Sequence, residues 1–599
     1  MWRLLALVAG CAANVVELRQ SDFTTGTYRI TEPGTYRLVE DINFMPNNNG
    51  PTAYESCWPS ASQLGTTYPA DTYALGFFAA ITIETSDVIL DLNNHVLEQS
   101  AEHALLQRFF ILIELSNSPF LTGQGPHTFT REYIPATRVT VRNGRLGRSS
   151  HHSIHGNLNV DVTLEHLRME GFEVVGVALN GVERLIMRHC ELTNRKDVPV
   201  LGSFSAARFL QRYIDWLVSA GSSTTLNVRG TVLSAADVRT ALRNAINNVY
   251  ADVMATGSIN KAAHPVEYAL FANVAGLIDG NAYGVLLNKA GVAVNGFPSR
   301  PKPPFSEGPS KNVELIDVNV YHHQSSIREV VALVKAGSVV SDSVGAILQL
   351  LNQHSDSGAY VTLDPSGAYY TGNPVADAQL FVGKAILTGE LASSGLDTSR
   401  NGVTSDVVAW AEAHTDGSLT ALAADEGWQC NGDSMAHVQK GAIGFKIDGT
   451  NNARLTDCSV NGLTNFGPAG SSACGAYKFS HPAATLPGYN GAHARGFTFA
   501  GSKHITVRSS YAAGVKSTHG NAIGFDIFTD STNVDLTDCS ASLVTADAHN
   551  ATGFHLGGST SFSDLRRWCA TLITAPHGTA LQVWDENGVK NDVHAENCN

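Results

Sequence analysis

Charge is scarce in this chain: Asp, Glu, Lys and Arg together make up 16% of its 599 residues. What charge there is leans acidic, for a formal net of −14, which argues against a nucleic-acid partner because such proteins show a basic face. No run of 18 or more apolar residues occurs, so no transmembrane helix is expected. No CxxC pair and no Cys/His spacing of the zinc kind is present, which removes a metal framework although nine cysteines are there. Coiled-coil heptads are missing too, so nothing supports a trimeric stalk and the oligomeric state stays open. Glycine, by contrast, is plentiful at 55 residues, as suits many short strands joined by tight turns.

The plainest positive signal is a repeat. Gly-Phe recurs at Gly444-Phe445, Gly496-Phe497, Gly524-Phe525 and Gly553-Phe554, the last two intervals being 28 and 29 residues and the first 52. A cysteine closes a short strand-like run at Cys458, Cys539, Cys569 and Cys598, with final spacings of 30 and 29. A fixed period of this size signals a solenoid, in which each unit buries its apolar face only by stacking on the next. The Cys marks are therefore expected in one column, either bridged by disulfides or left as a ladder of buried thiols. Neither a Leu-rich repeat nor a 3.6-residue period fits the last third. The fold class expected is mainly β: a right-handed, single-stranded parallel β-helix with two helical or mixed insertions.

Along the chain, 1–13 reads as a secretory signal cleaved near Ala12 or Ala13, with a buried first strand or a lipidated Cys11 as the alternatives. An echo, Gly26–Ile30 and Gly34–Leu38, suggests a cap on the first coil, within an N-terminal unit over 14–200. Residues 201–275 turn helical, with Leu210, Tyr213, Ile214 and Leu217 on one stripe and Val238, Leu242, Ala245 and Val249 on another. Coils resume over 276–325, interrupted by a Pro-rich link from Pro298 to Pro309. A second helical or mixed block spans 326–430, with a stripe at Val344, Ile347, Leu348 and Leu351, and 431–599 is coil again. Insertions of this sort project on one face, often the binding face.

The string "GFDIFTDSTNVDLTDCSA" resembles the coils of the pectin-lyase-like superfamily. "HHSIHGN", "GDSMAHVQKGAIGF" and "SHPAATLPGYNGAHARGF" resemble an uncharacterised branch of it from algae and large viruses. The resemblance covers most of the chain outside the insertions. It implies the β-helix and leaves the activity open, since lyases, hydrolases, epimerases and inert surface proteins share that fold. The family's hydrolase signatures, Asn-Thr-Asp, Asp-Asp, Gly-His-Gly and Arg-x-Lys, are not intact here. Thr518-His519-Gly520 is the nearest approach, and no pair of carboxylates for inverting hydrolysis can be nominated.

A uronate lyase needs a cation for the sugar carboxylate and a base for the neighbouring proton. Three clusters offer such groups. The first holds Arg145, Arg148, His151, His152, His155 and Asn157. The second holds Asp433, Ser434, His437 and Lys440. The third holds Lys478, His481, Tyr489, His493 and Arg495, with Lys516 and His519 one coil on. His437 or Lys440 is the expected base, Arg495 or Lys516 the carboxylate holder, and Lys516 and His519 join the catalytic set; Arg145, His151, His152, His155, Asp433, Lys478, His481, Tyr489, His493 and Arg495 are the substrate-binding set. The plainer reading of each His is a hydrogen bond within a turn. Gly432-Asp433-Ser434 also resembles a block of serine esterases, without a suitable base nearby unless His437 turns back helically.

Asp526, Asp530, Asp535 and Asp538 are the carboxylates for Ca²⁺, an ion many such lyases use. They lack calcium-loop spacing, and solvated turn positions are the better expectation. Trp58, Tyr73, Phe77 and Tyr511 could stack on sugars, Phe77 being the one best read as core. The function expected is engagement of an extracellular or cell-wall polysaccharide, with β-elimination of a uronate-containing glycan if it is an enzyme. The alternative is a non-catalytic surface or adhesion protein.

Overall fold

The computed structural model describes residues 15–47, 59–122 and 131–194, pieces between 225 and 264, 282–290, 308–324, 441–465 and 493–594, apart from gaps of one or two residues, and Cys598. These residues are mainly β. Their strands fall into two parallel sheets, one of 19 and one of 11 strands, plus one small antiparallel pair.

One rung explains the rest. The strand Ala442–Asp448 lies in the narrower sheet, and after Gly449 the chain enters the wider sheet through Asn451–Thr456 and Ser459–Asn465. The next rung repeats this with Ala494–Ala500, Lys503–Arg508 and Tyr511–Ser517, each strand pairing in parallel with its counterpart. The corner inside the wider sheet is made by one left-handed residue. Asn143, His166, His189, Asp317, Asp457, Ser509, Asp538 and Arg567 fill it in successive rungs, with φ between 46 and 58°. Asn and Asp tolerate that region best among residues with a Cβ, which explains half of the column.

The core lies between the sheets, and the Gly-Phe mark is its signature. Phe445, Phe497, Phe525 and Phe554 stack with ring centroids 4.7, 4.7 and 5.0 Å apart and planes within 7° of parallel. That is the spacing of hydrogen-bonded strands, so each ring rests on its copy one rung away. The glycine before it is needed because the backbones approach closely. A Cβ on Gly444, Gly496, Gly524 or Gly553 would sit 2.5–2.6 Å from the next rung's carbonyl oxygen.

The cysteine column is only partly as expected. Cys458 and Cys539 occupy equivalent positions, just before the register partners Ser459, Tyr511 and Ser540. Both are buried free thiols, as is Cys190, and burial pushes all three up to about 12. Cys569, however, pairs in register with Ser540, one position later, because buried Trp568 takes the core slot and packs edge-on against Phe554. Cys569 instead bonds to Cys598. So thiols and a disulfide both occur.

The N-terminal echo is not a separate cover. Tyr28–Ile30 pairs with Ala79–Ile83 in the narrower sheet, and Gly34–Leu38 lies between Val15–Leu18 and Val88–Asp91 in the wider one. Within 201–275, expected to be helical, the described residues include an antiparallel hairpin, Thr225–Val228 with Thr231–Ser234, and a helical stretch at 247–252. The first of its stripes, most of the second, the Pro-rich link, the block 326–430 and the leader 1–13 lie outside the described residues. In chain order, the long segments 195–281, 325–440 and 466–492 all join the end of a wider-sheet strand to the start of a narrower-sheet strand. Among the described residues no helix is long and apolar enough to cross a membrane.

Candidate functional site

The narrower sheet presents a continuous outward row in which every member is the register partner of the next. It starts at Arg29, Thr82, Glu114 and His155 and ends at Lys446, Thr498, Asp526, His555 and Trp584. Between these ends lies an apolar cluster of Val175, Ala178, Tyr283 and Ile443.

At the C-terminal end, Asp526 is only 1% exposed and is flanked by two cationic groups. Arg495 Nε lies 2.8 Å from Oδ2, a charge contact without the alignment of a directed hydrogen bond, and His555 Nδ1 lies 2.7 Å from Oδ1. His555 Nε2 faces Glu586 Oε1 at 3.3 Å, so both ring nitrogens meet carboxylates. Burial alone would lower the His555 pKa, but the hydrogen bond and charge of Asp526, helped by Glu586, raise it overall. Burial would likewise raise Asp526, and Arg495 with His555 outweighs it to hold the carboxyl below its usual range. The site thus holds the His555 ring between two carboxylates that favour its protonated form, with the Trp584 ring 4.7 Å from the imidazole. Beside it, burial and then the charge of Arg495 hold His493 neutral, with its pKa lowered to about 3. Its Nδ1 accepts from the Asn521 N–H at 3.0 Å.

At the N-terminal end, Glu114 is fully buried and its Oε2 lies 2.6 Å from His155 Nδ1, while Ser116 donates to Oε1 at 2.9 Å. Burial raises the Glu114 pKa against the pull of His155. His152 stacks on His155 at 5.5 Å and touches His151 at 3.8 Å, and burial with these neighbours keeps it neutral. Asn180 donates to Asn157 at 2.9 Å, one rung to the next. Arg29 grips Glu84 with two hydrogen bonds of 2.7 Å.

The structure brings some of the residues grouped by sequence together and keeps others apart. His151, His152, His155 and Asn157 do come together. Arg145 does not join them: it belongs to the wider sheet, in register with Arg168, and Arg148 is turned to the Gln99 carbonyl at 2.9 Å. His493 and Arg495 lie at the start of one narrower-sheet strand. Lys516 is separated from them, on the wider sheet, paired with Asp547 at 3.1 Å. Asp433, Ser434, His437, Lys440, Lys478, His481, Tyr489, His519 and Trp58 lie outside the described residues.

Asp526 is no solvated turn carboxylate but the buried centre of the array. Asp538 is paired with Arg567 at 2.5 Å. Asp535 is the register partner of Asp564, which in turn partners Asp592. Among the described residues, the donors that could meet on one cation are those of Asp564, Asp592 and His594, mutually within 4.8 Å. Tyr73 and Phe77 are core, and Tyr511 is exposed on the wider sheet.

The sequence reading missed Glu114, His555, Glu586 and Trp584. A signal was present: the residue after each Gly-Phe is Lys446, Thr498, Asp526 or His555, and aligning the four marks lays out the outward row.

No family model matches the chain, and no curated protein matches it. Among solved structures, the chain is similar to "Structure of Yersinia enterocolitica Family 28 Exopolygalacturonase" at 8% identity and a TM-score of 0.24, over 98% of this chain and 68% of that one. A likeness that low carries no argument about fold or activity.

Proposed function

We propose that the chain is a secreted, right-handed parallel β-helix that engages an extended acidic polysaccharide along the outward face of its narrower sheet. The observation that carries this reading is the array in which His555 follows Asp526 in the register row, Arg495 reaches Asp526 from a neighbouring column, and Glu586 meets His555 beside the Trp584 ring. A rigid row with a regular rise suits a polymer with a regular repeat, and an imidazolium with an aromatic neighbour suits a carboxylate-bearing sugar. In chain order, the strands Ala282–Asn288, Ala442–Asp448 and Ala494–Ala500 of this sheet each follow a long connection.

The chemistry proposed is β-elimination at a uronate. Arg495 and His555 stabilise charge at the sugar carboxylate, and His437 or Lys440, a few residues before the strand Ala442–Asp448, removes the C5 proton; the electron pair forms the C4–C5 double bond as the C4–O bond to the leaving sugar breaks, and that oxygen takes a proton from solvent. The test is incubation with a panel of acidic and neutral polysaccharides while following the absorbance of unsaturated uronates. A signal from acidic polymers that disappears in Lys440→Ala or His437→Ala and weakens in His555→Gln supports the reading. Absence of any signal, with no retention on the same polymers, overturns it.

A second reading has its own support. Every charge named at the two polar ends has an internal partner: Arg29 with Glu84, His155 with Glu114, and Arg495 and His555 with Asp526. That is what a non-catalytic surface protein needs to hold rungs together. Retention on a polysaccharide without unsaturated product selects it.

A further inference from the structure

Near its C-terminal end the wider sheet stacks carboxylates in one column. Asp535, Asp564 and Asp592 are successive register partners, and like charges placed so destabilise a sheet. Burial and then the charge of Asp564 push the Asp535 carboxyl above its usual range. Arg566 answers Asp564 at Oδ2. The other oxygen, Oδ1, is shut off from solvent and has no hydrogen-bond partner.

An imidazole closes on that oxygen. Alternate residues of an extended segment share a face, so Asp592 and His594 stand side by side above Asp564. His594 Nε2 lies 3.2 Å from Asp564 Oδ1 and 3.6 Å from Asp592 Oδ2, and one donor atom from each of the three residues falls within 4.8 Å of the others. The shorter approach is not aligned as a hydrogen bond, so an N–H on Nε2 does not tie the two groups. Two ligands bonded to one ion at ~2.0–2.2 Å stand about 2.8–3.6 Å apart at octahedral to tetrahedral angles, and both separations are of that size.

The backbone holds these donors in place. The Asp592 N–H donates to the Ser563 carbonyl at 2.8 Å, the His594 N–H to the Leu565 carbonyl at 3.1 Å, and Trp568 Nε1 to the His594 carbonyl at 2.7 Å. The Cys569–Cys598 bond ties the chain just beyond. The Asp592 and His594 side chains are exposed enough for an ion to enter from solvent.

We propose that Asp564, Asp592 and His594 form a site for a divalent transition-metal ion of the zinc kind, bound by one imidazole nitrogen and two carboxylate oxygens with the remaining position open to water. The imidazole ligand suits such an ion, whereas Ca²⁺ and Mg²⁺ take oxygen ligands. The site bridges two rungs of the wider sheet and is independent of the glycan row on the other sheet.

Isothermal titration of the chelator-treated full chain with zinc tests it. Zinc should bind, an excess of Ca²⁺ should not compete, and affinity should fall as pH drops through ~6.5, because the imidazole must be neutral to bind. Removing an outer partner of a metal ligand costs roughly 10–100-fold in affinity, so His594→Gln, which loses a ligand, should cost at least about tenfold. Should that variant fail to fold, Asp592→Asn carries the same expectation. Zinc should also slow hydrogen exchange in Asp564–Arg566 and Asp592–Val593 of the parent and not of His594→Gln. Absence of zinc binding, Ca²⁺ binding as tightly as zinc, or a folded His594→Gln with unchanged affinity and protection each overturn the proposal, the last leaving zinc on other histidines.

Discussion

Single residues set how this protein should respond to pH. His493 and His323 are buried and neutral, held by burial at about 3 and about 4. In the unfolded chain each titrates near ~6.5, so below that value the unfolded state binds protons that the folded state refuses. A depressed folded pKa means stability present above the unfolded value and lost on acidification, here by up to about 1.4 kcal/mol per pH unit per histidine. His555 runs the other way: its raised pKa gives stabilisation that is full below ~6.5 and fades as pH rises through the folded value. Urea midpoints measured at about pH 4.5, about 6 and about 8 check this. His493→Gln should flatten the acid limb and His555→Gln the alkaline one, and variants that track the parent curve would refute the assignments. These residues also show why the site was hard to read. Asp526 stands in "GFDIF" with no charged neighbour in sequence, and its partners Arg495 and His555 are 31 and 29 residues away. Only a correct rung-to-rung register brings them together.

At the scale of the strand, the Gly-Phe pair couples two demands: room for the next backbone and a ring for the column. Gly496→Ala would place a methyl 2.5 Å from the Gly524 carbonyl oxygen and 2.8 Å from the Ala512 side chain. It should cost about 1–3 kcal/mol, the usual range for forced overpacking. Phe525→Ala removes a ring stacked on both sides and should cost roughly 3–5 kcal/mol. Denaturant unfolding of both variants measures these losses, and a neutral Gly496→Ala would mean that the rungs are not in close contact. This part of the fold was legible because the mark repeats at nearly constant spacing. The cysteine mark misled at its end, since Trp568 and Cys569 are adjacent and the sequence does not say which one faces inward.

At the scale of the whole molecule, each described strand pairs in parallel with its counterparts in the adjoining rungs, so damage should stay local. The Cys569–Cys598 bond closes a separation of 29 residues at the C-terminal end, worth about 3–4 kcal/mol by loop entropy. Reduction should speed hydrogen exchange in Ala551–Leu556 and Ala580–Asp585 and leave His152–Asn157 unchanged. A uniform loss of protection along the chain would show instead that the stack melts as one body. Rung lengths were legible only where nothing interrupts them. The interval is 23 residues between Asp161 and Arg184, 128 between His189 and Asp317 and 29 between Asp538 and Arg567, yet all three pairs occupy adjoining rungs. Long connections enter at one corner without disturbing the ladder, which is why the period vanishes from the middle of the text while the architecture persists.

The close seating of Phe525 on Phe554 also makes the protein's height adjustable in whole storeys. Deleting residues 525–553 would join Gly524 to Phe554 and rebuild the same dipeptide in place, with the strand below inheriting the neighbour of the one removed. A cut that removes part of a rung would bring unlike side chains face to face, so growth and shrinkage by this route come in integer steps.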